Sequence, residues 1–201
     1  MIAIPYNIVV VDLETSGLDP LRHGILEIGA HRLADGNEFS CAVRLADAME
    51  YDPGVFRING ITEAEARSED RMSEAAALSE FFLWLGEGHR DTIAGSNPKF
   101  DHDFLKVVAG KEGFGKWPFG RHLFDLQTAA VTYLIATGTE VPNSLSADSI
   151  YRALGLPEEP KPHKALRGAQ HEAHAFRVIF GRLSMVQTYA SILDGQKEGA
   201  Q

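Results

Sequence analysis

Two carboxylates stand two residues apart at the end of an apolar run near the start of the chain. Residues Asn7 to Leu13 read NIVVVDL, which predicts a buried strand, and Asp12 and Glu14 lie at its end. Side chains two apart on a strand share a face, so we expect the two carboxylates to project together. At about 5 Å they would repel by roughly 3 kcal/mol, so such a pair tends to share a proton or bind a cation. Oxygen-only ligands favour Mg²⁺ or Mn²⁺.

Two further motifs carry groups that could join this pair. Asp101 falls near the start of a predicted helix, where negative charge is favoured, and Phe100 and Phe104 share a helical face that can dock on a sheet. His163 precedes the last predicted helix, and a histidine there is a candidate general base. Each motif alone also has an ordinary structural explanation, because helices often begin with acids and the chain has eight histidines.

In this order and spacing, the three motifs resemble those of the DEDDh 3′–5′ exonuclease family, which includes proofreading subunits of bacterial DNA polymerases, ribonuclease T and oligoribonuclease. The resemblance runs from Ile8 to about Phe180 and takes in Asn59-Gly60-Ile61-Thr62 and the stretch from Ser144 to Pro157. It implies a ribonuclease H-like α/β fold with a mixed central sheet flanked by helices. The implied cofactors are two divalent cations, Mg²⁺ or Mn²⁺.

The resemblance also implies a role for each matched residue. Asp12 would bridge the two cations, Glu14 would support the first, and Asp101 would support the second through water. His163 would deprotonate the water that attacks the terminal phosphodiester. The implied substrate is the 3′ end of single-stranded DNA or RNA, and a polymerase or a nucleic-acid processing complex is a possible partner. The candidate substrate-binding residues are Thr15, Leu18, Asn97, Phe104 and Lys164.

The sequence departs from the family at Gly168. The family pattern is H-x-A-x-x-D, whereas this chain reads H-K-A-L-R-G from His163, so the carboxylate that completes the first metal site is absent. Glu172 lies one helical turn later, about 40° round the helix and roughly 6 Å further along it. Its side chain leans back toward the helix N-terminus, so Glu172 is a candidate replacement ligand. The alternative is that Glu172 is an ordinary solvated helix residue.

Three functional hypotheses follow from these residues. The first is an active metal-dependent exonuclease, favoured by Asp12, Glu14, Asp101 and His163. The second is a homologue, impaired or inactive, that binds nucleic acid or a polymerase partner without cutting, favoured by Gly168. The third and most distant is a nucleotide phosphatase, which would need a second aspartate at the position of Glu14.

The strands and helices that must position these residues follow a definite order along the chain. Three early strands, joined partly by an Asp35-Gly36 hairpin, precede alternating strands and helices, which predicts a mixed sheet. Ala46 to Arg67 is predicted as loop. The predicted strands are Asn7–Leu13, Ile25–Leu33, Glu38–Leu45, Thr92–Ser96 and His122–Leu126, and the predicted helices are Ser68–Leu85, Pro98–Ala109, Thr128–Ala136, Ser146–Leu154 and Lys164 to about Ser184.

Three other features bear on phosphate, base and metal binding. Lys161, Lys164 and Arg167 form a basic spot that either holds a phosphate or is simply solvated. The loop from Gly110 to Gly120 carries three aromatic residues, which either stack on bases or anchor the loop to the core. His171 and His174 are three residues apart, whereas zinc-binding HExxH requires a spacing of four, so we expect no zinc site there.

Length, charge and cysteine content limit the domain number, the binding partners and the location that we expect. A chain of 201 residues predicts one domain, residues 1–186, followed by a polar tail, residues 187–201. The net charge of −9 argues against a general duplex binder but only weakly against an enzyme whose cations supply positive charge. One cysteine excludes a disulfide framework within the chain. Without an apolar run long enough to span a bilayer or a signal segment, we expect a cytoplasmic protein with no membrane partner.

Overall fold

The computed structural model describes residues 7–87 and 90–198, with the last helix described by its backbone alone from residue 182. The strands are β1 Ile8–Thr15, β2 Ile25–Arg32, β3 Glu38–Ala42, β4 Thr92–Gly95 and β5 Phe124–Asp125. The helices are α1 Phe56–Asn59, α2 Glu63–Ala66, α3 Glu74–Leu85, α4 Pro98–Lys111, α5 Leu126–Ala136, α6 Ala147–Ala153 and α7 Ala165–Glu198.

Within the described residues the strands form one sheet in the order β3-β2-β1-β4-β5. Strand β1 is antiparallel to β2 and parallel to β4, and β5 is parallel to β4. The predicted Asp35-Gly36 hairpin joins β2 to β3, with Gly36 at a φ of 77°. The predicted α/β fold with a mixed central sheet is therefore confirmed.

The sheet separates two apolar cores. Val9, Val11 and Leu13 face a core built with α3 and α4, whereas Val10 faces a second core built with α5, α6 and α7. Because side chains alternate along a strand, Asp12 and Glu14 lie on the same face as Val10, toward α7. The two cores thus fix which face of β1 carries the carboxylates.

A glycine on β2 lets α7 begin directly on this face. Gly29 pairs with Asp12 across the sheet, and a Cβ on Gly29 would lie 2.1 Å from the carbonyl carbon of Ala165. The Ala165 amide donates to Glu27, also on β2, at 3.3 Å. No larger side chain fits at residue 29 without moving the helix, so the start of α7 is held against the centre of the sheet.

The structure differs from the sequence expectations at several elements. Strand β3 ends at Ala42 rather than Leu45, and helix α5 begins at Leu126 rather than Thr128. The segment 46–67, expected as loop, contains α1 and α2, and α2 begins with a capping box between Thr62 and Glu65. Helix α3 begins at Glu74 rather than Ser68, because Ser73 accepts the Ala76 amide as its N-cap. Helix α7 continues to Glu198, so the expected end near Ser184 is wrong. None of the described helices has the length and apolarity needed to cross a bilayer.

Candidate active site

Glu14 is a buried carboxylate held in place by a side chain from α1. It is 7% exposed, and the Asn59 side chain donates a hydrogen bond to it. Burial is the main reason that the pKa of Glu14 is raised to about 7, and the charges of Glu27 and Glu159 raise it further. Asn59 is itself 1% exposed, and its Oδ1 accepts the Ile61 amide at 3.0 Å. Glu14 is thus fixed at the end of β1, but its charged form is disfavoured.

Asp101 reaches the same strand end from the other side of the sheet. Pairing between β1 and β4 stops at Val10 and Ala94, and the Leu13 amide beyond it donates to Asp101 Oδ1 at 3.0 Å. Asp101 is 4% exposed, and burial raises its pKa well above the ordinary value. This hydrogen bond brings the carboxylate of α4 to the strand that carries Asp12 and Glu14.

Glu172 is also buried beside these carboxylates, rather than solvated. It is 6% exposed, and the Ser96 amide donates a hydrogen bond to its carboxylate. Its Oε2 is buried without a hydrogen-bond partner among the described residues, and a Cβ on Gly95 would lie 2.8 Å from it. Burial first, and then the charge of Asp101, raise the pKa of Glu172. The end of β4 therefore makes room for a carboxylate from α7.

Asp12 occupies the place that a side chain at residue 168 would need. A Cβ on Gly168 would lie 2.0 Å from Asp12 Oδ2. Burial raises the pKa of Asp12 well above its ordinary value, followed by the charges of Glu172, Asp101 and Glu14. The expected aspartate at residue 168 could not be accommodated unless Asp12 turned away.

His163 lies at the entrance of α7 and is tied to α1. Its amide donates to the Ile58 carbonyl at 2.9 Å, one residue before Asn59, the hydrogen-bond donor to Glu14. Its Nδ1 lies 3.6 Å from Glu159 Oε2, and its side chain is one-third exposed. Helix α1 thus links the candidate base to the carboxylates. The motifs containing Asp12, Glu14 and Asp101 lie together at the carboxyl end of β1, and the motif containing His163 contacts α1, whose Asn59 reaches Glu14.

Two substrate-binding candidates follow β1 directly. Thr15 is 8% exposed, and its hydroxyl donates to the Gly17 carbonyl at 2.7 Å. Leu18 is 80% exposed, which makes it one of the most exposed large apolar side chains described. Thr15 shapes the turn, and Leu18 is left free to contact another molecule.

The other three substrate-binding candidates differ in accessibility. Asn97 is exposed at the start of α4, with a φ of 56°. Lys164 is partly exposed and pairs with Glu27 at 3.2 Å. Phe104 is only 1% exposed and packs in the core against Phe100 at a ring separation of 4.9 Å. The expectation that Phe104 contacts substrate is therefore corrected, since no face of it is open.

The aromatic loop, the basic spot and the histidine pair noted in the sequence mostly make contacts within the protein. Phe114 and Trp117 pack edge-on against Phe82 of α3, and Phe119 is 1% exposed, which favours anchoring of the 110–120 loop over base stacking. In the basic spot, Arg167 donates to the Pro162 carbonyl. His171 Nε2 lies 2.8 Å from the Pro157 carbonyl oxygen.

The donor set suits hard divalent cations, because it consists of carboxylate oxygens. Within residues 7–87 and 90–198, as far as they are described, no three His, Cys, Asp or Glu side chains already stand in a metal-holding arrangement. The fit instead rests on chemistry: buried carboxylates with raised pKa values, and an unpartnered buried oxygen on Glu172, are groups that a cation would satisfy.

Sequence reasoning missed two residues of this site. Asn59 was seen only as part of a motif, yet its side chain holds Glu14. Glu159 lies between Pro157 and Pro162 in a polar segment that offers no reason to expect burial, yet its side chain is only 12% exposed. The capping box that opens α2 was the available signal that the segment around Asn59 is ordered. No sequence signal marks Glu159 apart from its position four residues before His163.

Comparison with known proteins matches this chain to one family. The RNase T family, described as exonuclease, matches residues 9–176. The chain is 32% identical over 171 residues to a PolC-type DNA polymerase III of Thermotoga petrophila, covering 84% of this chain but 11% of the polymerase. It is 26% identical over 174 residues to the 3′–5′ DNA exonuclease Cap18 of Escherichia coli, covering 84% of this chain and 89% of Cap18.

Among solved structures, E. coli exonuclease I bound to a dT13 oligonucleotide superposes with a TM-score of 0.72 at 21% identity. The match covers 90% of this chain and 42% of exonuclease I. The chain thus spans about a tenth of the polymerase and less than half of exonuclease I. The match to exonuclease I supports the ribonuclease H-like fold.

Proposed function

We propose that this chain, which belongs to the RNase T exonuclease family, hydrolyses the terminal phosphodiester at the 3′ end of single-stranded nucleic acid with two divalent cations. One observation carries the proposal. Asp12 and Glu14 share one face at the carboxyl end of β1, and Asp101 accepts the amide of Leu13, which lies between them in the chain. Such an assembly is costly for stability, because burial raises the pKa of each carboxylate, and cation binding would offset that cost.

The residues that would hold the cations are Asp12, Glu14, Asp101 and Glu172. Asp12 lies two residues before Glu14 on the same face of β1, and its carboxylate fills the space beside Gly168 of α7. When bound, Mg²⁺ or Mn²⁺ would stabilise both the attacking and the leaving oxygen of a phosphodiester. Glu172 would serve on the Asp101 side, where the Ser96 amide orients it.

His163 would take the proton from the attacking water. Its backbone hydrogen bond to Ile58 holds the histidine beside Asn59, which contacts Glu14. Its Nδ1 faces Glu159, which leaves Nε2 as the nitrogen available for the water. A partly exposed imidazole can exchange its proton with solvent after each turnover.

The substrate would be held by residues around the strand end. Leu18, with 80% of its surface exposed, would pack against the terminal base, and Thr15 would position the turn that presents it. Asn97 and Lys164 would contact the sugar–phosphate chain from the starts of α4 and α7. We propose single-stranded DNA as one substrate, since Cap18 is a DNA exonuclease and exonuclease I was solved with a dT13 oligonucleotide, and RNA as the other to be tested, since a ribonuclease T is 28% identical to this chain.

Gly168 supports a second candidate function. Without a carboxylate at this residue, the chain could bind a 3′ end or a polymerase partner without cutting. The Asp12 carboxylate already covers Gly168, so the site differs from the family pattern at its centre.

The deciding experiment is incubation of the purified protein with 5′-labelled single-stranded DNA and RNA, with Mn²⁺, Mg²⁺ or EDTA. The proposal expects metal-dependent shortening from the 3′ end that stops in Asp12→Asn. Binding of the oligonucleotide without shortening at any metal concentration would favour the second function. Neither binding nor shortening would refute both.

A further inference from the structure

Glu159 is a buried carboxylate in the segment between α6 and α7, and the proposed function assigns it no role. Its side chain is 12% exposed, and its Oε1 is buried without a hydrogen-bond partner among the described residues. Its sequence neighbour Glu158 has the same chemistry but is 59% exposed and pairs with Arg152 at 2.6 Å. The segment therefore turns one of two adjacent glutamates inward and leaves the other in solvent.

Two side chains of α7 hold this segment on either side of Glu159. Arg167 donates a hydrogen bond to the Pro162 carbonyl, which follows Glu159 in the chain. His171 Nε2 lies 2.8 Å from the carbonyl oxygen of Pro157, which precedes it. Because the backbone is tied to α7 both before and after Glu159, the position of this carboxylate relative to the helix is fixed.

The side chain of Glu159 faces the candidate base. Glu159 Oε2 lies 3.6 Å from His163 Nδ1, which is an ion-pair distance but is too long for a hydrogen bond. The backbone of His163 is held separately, since its amide donates to the Ile58 carbonyl at 2.9 Å. The imidazole is one-third exposed, so the ring is anchored at its backbone and at Nδ1 and still reaches solvent.

Charged groups of both signs act on the Glu159 carboxylate. Burial raises the pKa of Glu159, the charges of His163, His171 and Arg167 lower it, and that of Asp148 on α6 raises it. The charge of Glu159 acts in turn on three acids, namely Asp12, Glu14 and Glu172. A positive charge on the neighbouring imidazole is therefore favourable for Glu159.

A general base becomes positively charged when it works, and this is the state that a nearby carboxylate favours. A carboxylate at one nitrogen of a catalytic histidine fixes the orientation of the ring and stabilises the imidazolium that forms. Contacts of this kind are often long in a free enzyme and shorten when substrate is bound. The distance of 3.6 Å between Glu159 and His163 is compatible with that role.

We propose that Glu159 is a positioning residue for His163, which holds the Nδ1 side of the imidazole so that Nε2 faces the attacking water. The inference rests on the proposed function and adds a residue to it. The proton of the water passes to Nε2, the imidazolium carries the positive charge beside the Glu159 carboxylate, and the proton then leaves Nε2 for solvent. Glu159 takes up no proton in this sequence.

The first test does not depend on activity. The His163 imidazole is titrated by NMR in EDTA in wild type, Glu159→Gln and the matched control Glu158→Gln, with His163→Ala to assign the signal. Removing the charge beside Nδ1 disfavours the imidazolium, so the His163 midpoint is expected to move to lower pH in Glu159→Gln and to stay unchanged in Glu158→Gln. Equal midpoints in Glu159→Gln and wild type would overturn the inference.

The second test measures kcat and KM for shortening of 5′-labelled single-stranded DNA with Mn²⁺. Glu159→Gln is expected to lower kcat by about 10-fold or more with KM unchanged, which is part of the roughly 10²–10⁴-fold that a positioned general base supplies. Glu159→Asp keeps the charge and is expected to retain more of the wild-type kcat. Equal losses in the two variants would show that the size of the side chain matters rather than its charge, and would overturn the inference.

A double variant separates positioning from a structural role. In the His163→Ala background, Glu159→Gln is expected to cost no further rate, because Glu159 acts through the histidine. A further loss as large as that in wild type would mean that Glu159 supports the fold or another group, against the inference.

Melting in EDTA checks that each variant is folded. If Glu159→Gln does not fold, Glu159→Asp decides: a lower kcat with wild-type KM supports the inference, and a wild-type kcat overturns it. Failure of the proposed function itself looks different, because wild type would then shorten no oligonucleotide although the His163 midpoint still moves in the Glu159 variant.

Discussion

Replacing Glu14 with glutamine should stabilise the protein in the absence of metal, and the effect should depend on pH. Glutamine keeps the size of the side chain and can still accept the Asn59 hydrogen bond, but it carries no charge to be buried. Burial raises the pKa of Glu14 from 4.5 to about 7. Because each pKa unit corresponds to about 1.4 kcal/mol, ionising Glu14 costs about 3 kcal/mol more in the folded protein than in the unfolded chain.

The pH dependence of folding stability follows from whether the folded or the unfolded state holds the Glu14 proton. Between pH 4.5 and about 7 the folded protein keeps the Glu14 proton and the unfolded chain has lost it, so folding is favoured at low pH. The contribution is complete below pH 4.5 and is lost as the pH rises through about 7. At pH 8 the folded wild-type protein is therefore destabilised by the full cost of ionising Glu14, which is absent from Glu14→Gln.

The assay is thermal melting in EDTA at pH 5 and pH 8. At pH 8 we expect Glu14→Gln to melt roughly 6–12 °C above wild type, since about 1 kcal/mol corresponds to 2–4 °C in a protein of this size. At pH 5 the difference should shrink to roughly a third or less. Mn²⁺ should reverse the order, because wild type alone gains the Glu14 ligand.

Glu158→Gln is the matched control for Glu14→Gln. It removes an exposed carboxylate, so it should change the free energy of unfolding by at most about 1 kcal/mol at either pH. If Glu14→Gln melts at or below wild type at pH 8, burial does not disfavour the charged form. A difference that is the same at pH 5 and pH 8 would assign the effect to packing.

Four further outcomes are expected. Asp12→Asn should abolish metal-dependent shortening without lowering the melting temperature in EDTA; a large drop would mark Asp12 as structural. His163→Ala should lose about 10²–10⁴-fold in rate and flatten the acid limb of the pH–rate profile, and an unchanged profile would place the base elsewhere. Glu172→Gln should weaken Mn²⁺ binding in calorimetry, and equal affinity would remove it from the ligand set. Gly168→Asp alone should give no gain in rate, because a Cβ there lies 2.0 Å from Asp12 Oδ2 and displaces it; a rise of about 100-fold or more would favour the impaired homologue.

The sequence predicted the parts of the site that depend on local pattern. The alternation of apolar residues in β1 fixed the common face of Asp12 and Glu14, and the Phe100–Phe104 spacing oriented α4 so that Asp101 meets β1. The same spacing predicted that Phe104 docks on the sheet, which the structure bears out, whereas its assignment as a substrate-binding candidate does not fit its burial in the core. Periodicity identifies an apolar face and does not say how much of that face stays open.

The parts that could not be predicted depend on contacts between distant segments. Helix α1 has four residues, too few for a periodic pattern, and it is ordered by contacts such as that of Ile58 with His163. Glu159 lies in a polar, proline-flanked stretch whose composition is typical of solvated loops. The stretch folds back against the end of α1, where Pro162 lies beside Gly60 and the His163 amide donates to Ile58, and composition carries no information about that path.

Two glycines explain why the site differs from the family pattern at residue 168. A glycine inside a helix costs about 1 kcal/mol relative to alanine, so Gly168 needs a compensating reason. Any side chain there would collide with Asp12, just as any side chain at Gly29 would collide with the backbone at Ala165. Together they let α7 lie against β1 and β2 at backbone distance, with the Asp12 carboxylate filling the gap. An aspartate at residue 168 would require the Asp12 carboxylate to turn out of this gap. The absent aspartate and the position of the Asp12 carboxylate are therefore consequences of one packing arrangement, and restoring the aspartate alone should not recreate the family's site.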